Sequence, residues 1–142
     1  MPIKNYTSNV EVIQSLAEIQ GALAKGGATK IMVDYADGKP TGIVFALNTT
    51  IGPKGFALPA NVDGTVEVFR RQKVKADRAQ AERTAWRTIR DWVLAQMAFI
   101  ESGAVTMDEV FFPYLTNGKK TLYQAYQDGQ LCLPEGASND GR

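Results

Sequence analysis

Apolar residues recur at Val12, Ile13, Leu16, Ile19 and Leu23 of "TSNVEVIQSLAEIQGALAKGGA", a 3.6-residue period that predicts a first helix. Ser8, followed three residues later by Glu11, has the form of a capping box. Gly26-Gly27 supplies the stop, because glycine enters the left-handed C-terminal conformation without a steric cost. The period then changes to two. Ile31, Val33 and Tyr35 alternate with Met32 and Asp34, Asp37-Gly38 is a hairpin turn, and the mostly apolar Ile43–Leu47 returns as a central strand. "IGPKG" reads as another turn and "FALPA" as a short third strand that Pro59 stops.

Beyond Pro59 the pattern is helical again. A second helix starts near Asn61 or Asp63 with Val66 and Phe69 inward, although Gly64 weakens it. "KVKADRAQ" is polar and reads as a connection. The strongest helix runs from about Arg78 to Ser102, with Ala85, Ile89, Trp92, Val93, Gln96 and Ile100 on one face and Gly103 as its stop. Thr106 and Glu109 form a capping box for a shorter helix that Pro113 kinks or ends. A turn at Asn117-Gly118 precedes a last short helix carrying Leu122, Tyr123 and Tyr126. Strands segregated from helices predict the α+β class. The expected architecture is an N-terminal helix packed on a small antiparallel three-stranded meander, followed by a C-terminal helical half with one long amphipathic helix. Residues 1–133 are expected to form a single domain, and 134–142 a flexible polar tail.

Composition narrows the chemistry. The 142 residues, 44% hydrophobic and 22% charged, suit one domain with a self-sufficient core. No apolar run approaches the roughly 18 residues of a membrane span, and "MPIKNYTSNV" lacks the apolar stretch of a signal peptide. The single cysteine, Cys132, fits a reducing, cytoplasmic setting. In its apolar "LCLP" context it reads as a small buried residue. The absence of histidine excludes a Ser-His-Asp triad, a Cys-His pair and any histidine metal site. No cofactor or metal is expected, and an enzyme built on carboxylates, Lys or Tyr is the least favoured class.

Charge adds the one pronounced feature. Net charge is +1, yet half of the 16 Lys and Arg residues lie between Arg70 and Arg90, opposed there only by Asp77 and Glu82. On a helical wheel, Arg83, Arg87 and Arg90 fall within about 60° of one another, and Trp86 stands at the border of the apolar face. Two readings follow. In the first, both tryptophans belong to the core and the arginines are a solvated face. In the second, Arg70, Arg71, Lys73, Lys75, Arg83, Arg87 and Arg90 form one anion-binding surface with Trp86 as a stacking plate, since arginine binds phosphate bidentately and an aromatic ring accepts any base.

The remaining candidates have plainer explanations. Asp34 and Asp37 belong to a strand end and a turn, Asp108 and Glu109 to a helix N-terminus, and Tyr114, Tyr123 and Tyr126 to aromatic packing. Gly26-Gly27 precedes a strand, so it is not a phosphate-binding glycine loop.

"KNYTSNV", "LPANVDG", "QAERTAWRTIRDWVLAQMAFIESG" and "FFPYLTNGKKTLYQAY" together resemble a family of small accessory proteins encoded by bacteriophages and prophages. The likeness spans about Lys4 to Tyr126. It implies action in a bacterial cytoplasm and a role in nucleic-acid metabolism or antagonism of host defence, and it carries over no catalytic residues. The leading expectation is a non-enzymatic protein that binds single-stranded nucleic acid or another phosphate-bearing ligand through the Arg-rich helix. The alternative is a protein-interaction module directed at a host defence factor, either an inhibitor or a sequestering protein for a nucleotide signal, with "VFFPYL" as its aromatic cluster. Expected partners are thus single-stranded nucleic acid or a nucleotide, or a host or phage protein. A membrane is not expected, and a homo-oligomer is left open.

Overall fold

The first helix, α1, spans Val12–Lys25 and buries Leu16, Ile19 and Leu23, but Ile13 is 78% exposed. Ile13 sits one residue, about 100°, round from the line Val12–Leu16–Ile19–Leu23 and so misses the sheet. The Ser8–Glu11 box does not form: Glu11 is the N-cap with no side-chain cap, and the Ser8 hydroxyl accepts from Val10 N at 3.2 Å. Residues 1–11 are instead pulled onto another helix, as described below. Gly27, at φ +110°, ends α1 as expected. The computed structural model describes residues 1–130; Cys132 and the tail from Pro134 lie outside the described residues.

Strands β1 (Lys30–Ala36) and β2 (Lys39–Thr49) pair through Asp37 (φ 52°) and Gly38 (φ 75°), the two positive angles of a type I′ turn. That geometry accounts for Asp37 without any catalytic role. β3 is longer than expected, Gly52–Pro59, because the chain reverses at Thr50-Ile51 and "GPKG" is already strand. A fourth strand, β4 (Leu115–Thr116), pairs with β3 only at Gly55 and Phe56. Among the described residues the sheet therefore has four antiparallel strands in the order β1-β2-β3-β4, where three were expected. Two residues carry no readable alternation, so β4 leaves no signal in the sequence.

One face of the sheet carries Ile43, Phe45, Leu47, Phe56 and Leu58, all buried beneath the helices. Phe45 stacks on Phe56 at 5.5 Å, and Phe111 meets Phe45 edge-on at 5.1 Å. Helix α2 (Val62–Arg71) is capped by Asn61, whose Oδ1 accepts from Gly64 N at 2.8 Å. A Cβ at Gly64 would lie 2.5 Å from that side chain, so glycine permits this cap. Val62, Thr65 and Phe69 face inward, whereas Val66, expected inside, is exposed.

Helix α3 (Arg78–Glu101) matches its expected span. Its second half buries Val93 and half-buries Ile89 and Trp92, on the expected face. Its first half buries Ala81, Thr84, Ala85, Trp86 and Arg87, a wider arc. Here α3 touches α1 on one side and α2 on the other, so more of its circumference is covered. The short helix α4 (Met107–Val110) has the expected Thr106–Glu109 capping box, and Pro113 lies in a 3₁₀ turn, Phe112–Tyr114, that ends it. Helix α5 (Leu122–Gln127) is the last element among the described residues, which combine helices with an antiparallel sheet as the α+β class does. Among the described residues no helix is long and apolar enough to cross a membrane.

Candidate anion-binding cleft

The basic run divides according to what faces each cation. Arg70 turns to Glu67 on its own helix, and Arg78 reaches Asp63 at 2.7 Å. Arg87 and Arg90 both converge on Glu18 of α1, at 3.2 and 2.6 Å, and Arg90 also meets Asp91 at 3.1 Å. Hydrogen bonds from Arg90, Gln14 and Arg87 hold the Glu18 carboxyl below its ordinary pKa. Arg71, Lys73, Lys75 and Arg83 have no carboxylate partner among the described residues.

Three of those four share a cleft of about 720 Å³ between the α2–α3 connection and the N-terminal segment. Lys73 and Lys75 come from the connection, Arg83 from the second turn of α3, and Tyr6 from the opposite wall. The connection is shaped by the end of α2. Lys73 N donates to Arg70 O at 3.2 Å and Val74 N to Phe69 O at 2.8 Å, the two bonds of a Schellman motif. Val74 packs on the cluster containing Phe69. The position between them requires positive φ, which glycine usually fills, and here Lys73 adopts it at 57°. An ammonium on a strained backbone thus lines the cleft. Asp77 then caps α3, accepting from Gln80 N at 2.9 Å, and its carboxylate, the one acidic side chain lining the cleft among the described residues, offsets the positive end of the helix dipole there.

Gln80 ties the two walls together. Its Oε1 accepts from Arg83 Nε and Nη2 at 3.1 and 2.6 Å, and its Nε2 donates to Tyr6 O and Ser8 O at 3.1 and 2.9 Å. Arg83 is therefore oriented by a neutral amide and forms no ion pair among the described residues. The N-terminal wall is pinned further along. Thr84 Oγ1 donates to Asn5 O at 2.8 Å, Asn5 Nδ2 donates to Asp91 at 3.0 Å, and Lys4 pairs with Asp91 at 2.7 Å. Burial raises the Asp91 pKa, but Lys4, Asn5 and Arg90 outweigh it and bring it down to about 2. Ile3 N donates to Gln72 at 2.8 Å, fastening the same segment to the end of α2.

The stacking role assigned to Trp86 is corrected by its burial. Trp86 is 1% exposed within the main core, and Trp92 packs edge-on against Phe111 and Tyr114 at 5.6 and 5.9 Å. Arg87, expected to reach a phosphate, is 9% exposed and committed to Glu18, and Arg90 is committed to the same carboxylate. The seven cations do not form one surface: Lys73, Lys75 and Arg83 come together, while Arg87 and Arg90 belong to the α1–α3 contact. Tyr6 (37% exposed) and Gln80 were missed. Tyr6 lies in a segment without periodicity, far in sequence from the lysines it faces, and no local signal marks it. Among known proteins, no family model, no curated protein and no solved structure matches this chain.

Proposed function

We propose that this protein is a non-enzymatic accessory protein that binds single-stranded nucleic acid through the cleft formed by Lys73, Lys75, Arg83 and Tyr6. The observation that carries the reading is the convergence on one cleft of three cations that form no ion pair among the described residues, against the single carboxylate of Asp77, while neighbouring arginines are neutralised. Lys73, Lys75 and Arg83 meet successive phosphates, and the Tyr6 ring takes the stacking role against a base. A strand suits an open cleft lined on one side by a flexible-stemmed lysine pair, since the backbone contact needs charge rather than a fixed pocket shape. The assignment to a bacteriophage or mobile element, acting in the bacterial cytoplasm, rests on the resemblance of the four motifs quoted above.

Fluorescence anisotropy of a labelled single-stranded oligonucleotide, titrated at several salt concentrations, tests the reading. Three phosphate contacts on a single strand predict a slope of log K against log salt of about −2. Exchanging Lys73, Lys75 and Arg83 together for alanine flattens that slope, whereas Arg87→Ala and Arg90→Ala leave it intact. Absence of binding at low salt, or an unchanged slope in the triple variant, removes the proposal.

A second reading has one observation in its favour. Phe112 is 54% exposed on the 3₁₀ turn, which packs against α5, where Tyr123 and Tyr126 are also exposed with their rings 6.0 Å apart. Exposed aromatics grouped this way suit a protein partner. Phe111 of the same "VFFPYL" cluster is fully buried and does not take part. Alanine at Phe112 and Tyr126 abolishes capture of a host protein if this second reading holds, and leaves oligonucleotide binding unchanged.

A further inference from the structure

The two edges of the sheet are treated differently. On the β3 side, Pro53 and Pro59 lie along the strand and β4 covers Gly55 and Phe56. Proline removes a ladder donor, so that edge resists pairing with another strand. On the β1 side neither a proline nor a covering strand is present among the described residues. "KIMVDYA" contains no proline, it pairs only with β2 among the described residues, and its outward backbone groups are left open. Ile31 and Val33 are half-buried at the margin of the core face, and Met32 is exposed on the opposite face. An edge of seven residues with an apolar centre and no proline is a template for a further strand.

We infer that the occupant of this edge is a second copy of the chain, paired antiparallel through β1 about a two-fold axis at Met32. The argument is the charge pattern of the strand. A two-fold perpendicular to the sheet keeps core-facing residues opposite core-facing residues, so only every second register is allowed. The register centred on Met32 places Lys30 opposite Asp34 of the second copy, and Asp34 opposite its Lys30. It also sets Ile31 opposite Val33 on the core face, and Met32 opposite Met32 on the outer face. The adjacent allowed registers, centred on Ile31 or Val33, bring Lys30 and Asp34 together in neither case. Lys30 and Asp34 are exposed and have no ion-pair partner among the described residues, so both charges are free for this contact. The product is a continuous eight-stranded sheet with β1 and its counterpart at the centre.

Sedimentation velocity over a concentration series tests the pairing, with circular dichroism melting of each variant as the check on folding. The wild-type chain sediments as a dimer that dissociates on dilution. Asp34→Lys or Lys30→Asp alone sets like charges opposite each other twice and weakens the dimer about tenfold or more. The double exchange, Lys30→Asp with Asp34→Lys, restores the opposite-sign pairs and recovers most of the wild-type affinity. Independently, Met32→Cys in a Cys132→Ser background forms a covalent dimer on mild oxidation, because the axis brings that position against itself. A wild-type chain that stays monomeric throughout the series overturns the inference. So do single reversals without effect, a double exchange no tighter than the single reversals, or absence of the Met32→Cys cross-link.

Discussion

Arg83 and Arg87 stand one helical turn apart on α3 and have different fates. Arg83 rests on the amide of Gln80 at the rim of an open cleft and forms no ion pair among the described residues. Arg87 lies against α1, largely buried, with Glu18 as its counter-ion. The contrast shows that a basic stripe on a wheel is not a binding surface by virtue of its sign. A cation advertises a ligand when the fold has supplied no carboxylate for it, and it serves the fold when it has.

The largest way to sharpen this contrast is through Trp86. Trp86→Ala removes a fully buried ring and lowers the unfolding free energy by about 3–5 kcal/mol in urea titrations. Oligonucleotide binding by the fraction that stays folded is retained, and loss of binding without loss of stability would return Trp86 to the site. Next comes Arg87→Ala. It empties a buried position and strips a charged hydrogen bond, so a cost of about 2–3 kcal/mol is expected with the salt slope of binding unchanged. Arg83→Ala gives the converse result: stability shifts by less than about 1 kcal/mol, and the slope flattens by somewhat under one unit. If the two variants behave alike, the division between the regions is wrong.

Acid separates the regions by pH. The Asp91 carboxyl, brought from 3.8 to about 2 in the folded chain, is more acidic folded than unfolded. Its stabilising effect is complete above pH 4 and is lost as pH falls from about 4 to 2, on the order of 2 kcal/mol. Because Asp91 holds Lys4 and Asn5, Asp91→Asn removes this pH dependence and raises hydrogen exchange in the N-terminal wall. The smallest expected effect has the opposite sign. Lys73→Gly relieves a left-handed lysine and raises stability by up to about 1 kcal/mol, while weakening oligonucleotide binding. A variant more stable yet poorer in binding identifies Lys73 as a residue kept for its charge, and unaltered binding assigns its strain to the fold alone.

Much of the fold was legible. The span of α3, the Asp37-Gly38 hairpin, the glycine stop after α1 and the Thr106–Glu109 box all arise from interactions within about four residues, which period and composition report directly. The failures at Ser8, Ile13 and Val66 have another origin. Each obeyed a local rule, and a distant surface then decided: the N-terminal segment was drawn to Gln80 and Asp91, and the helices rotated to meet what covers them.

The sequence by itself determined the order of the helices and the hairpin and most of their stops, and it concentrated half of the basic residues in a single stretch. It did not determine which of them would be free. That was decided when α1 packed along α3 and set Glu18 against Arg87 and Arg90, 69 and 72 residues away, leaving Lys73, Lys75 and Arg83 to face Tyr6 across the cleft. The physical reason is range. Caps and turns are satisfied by near neighbours along the chain, whereas an exposed charge finds its partner only after the hydrophobic faces have docked and fixed which surfaces meet.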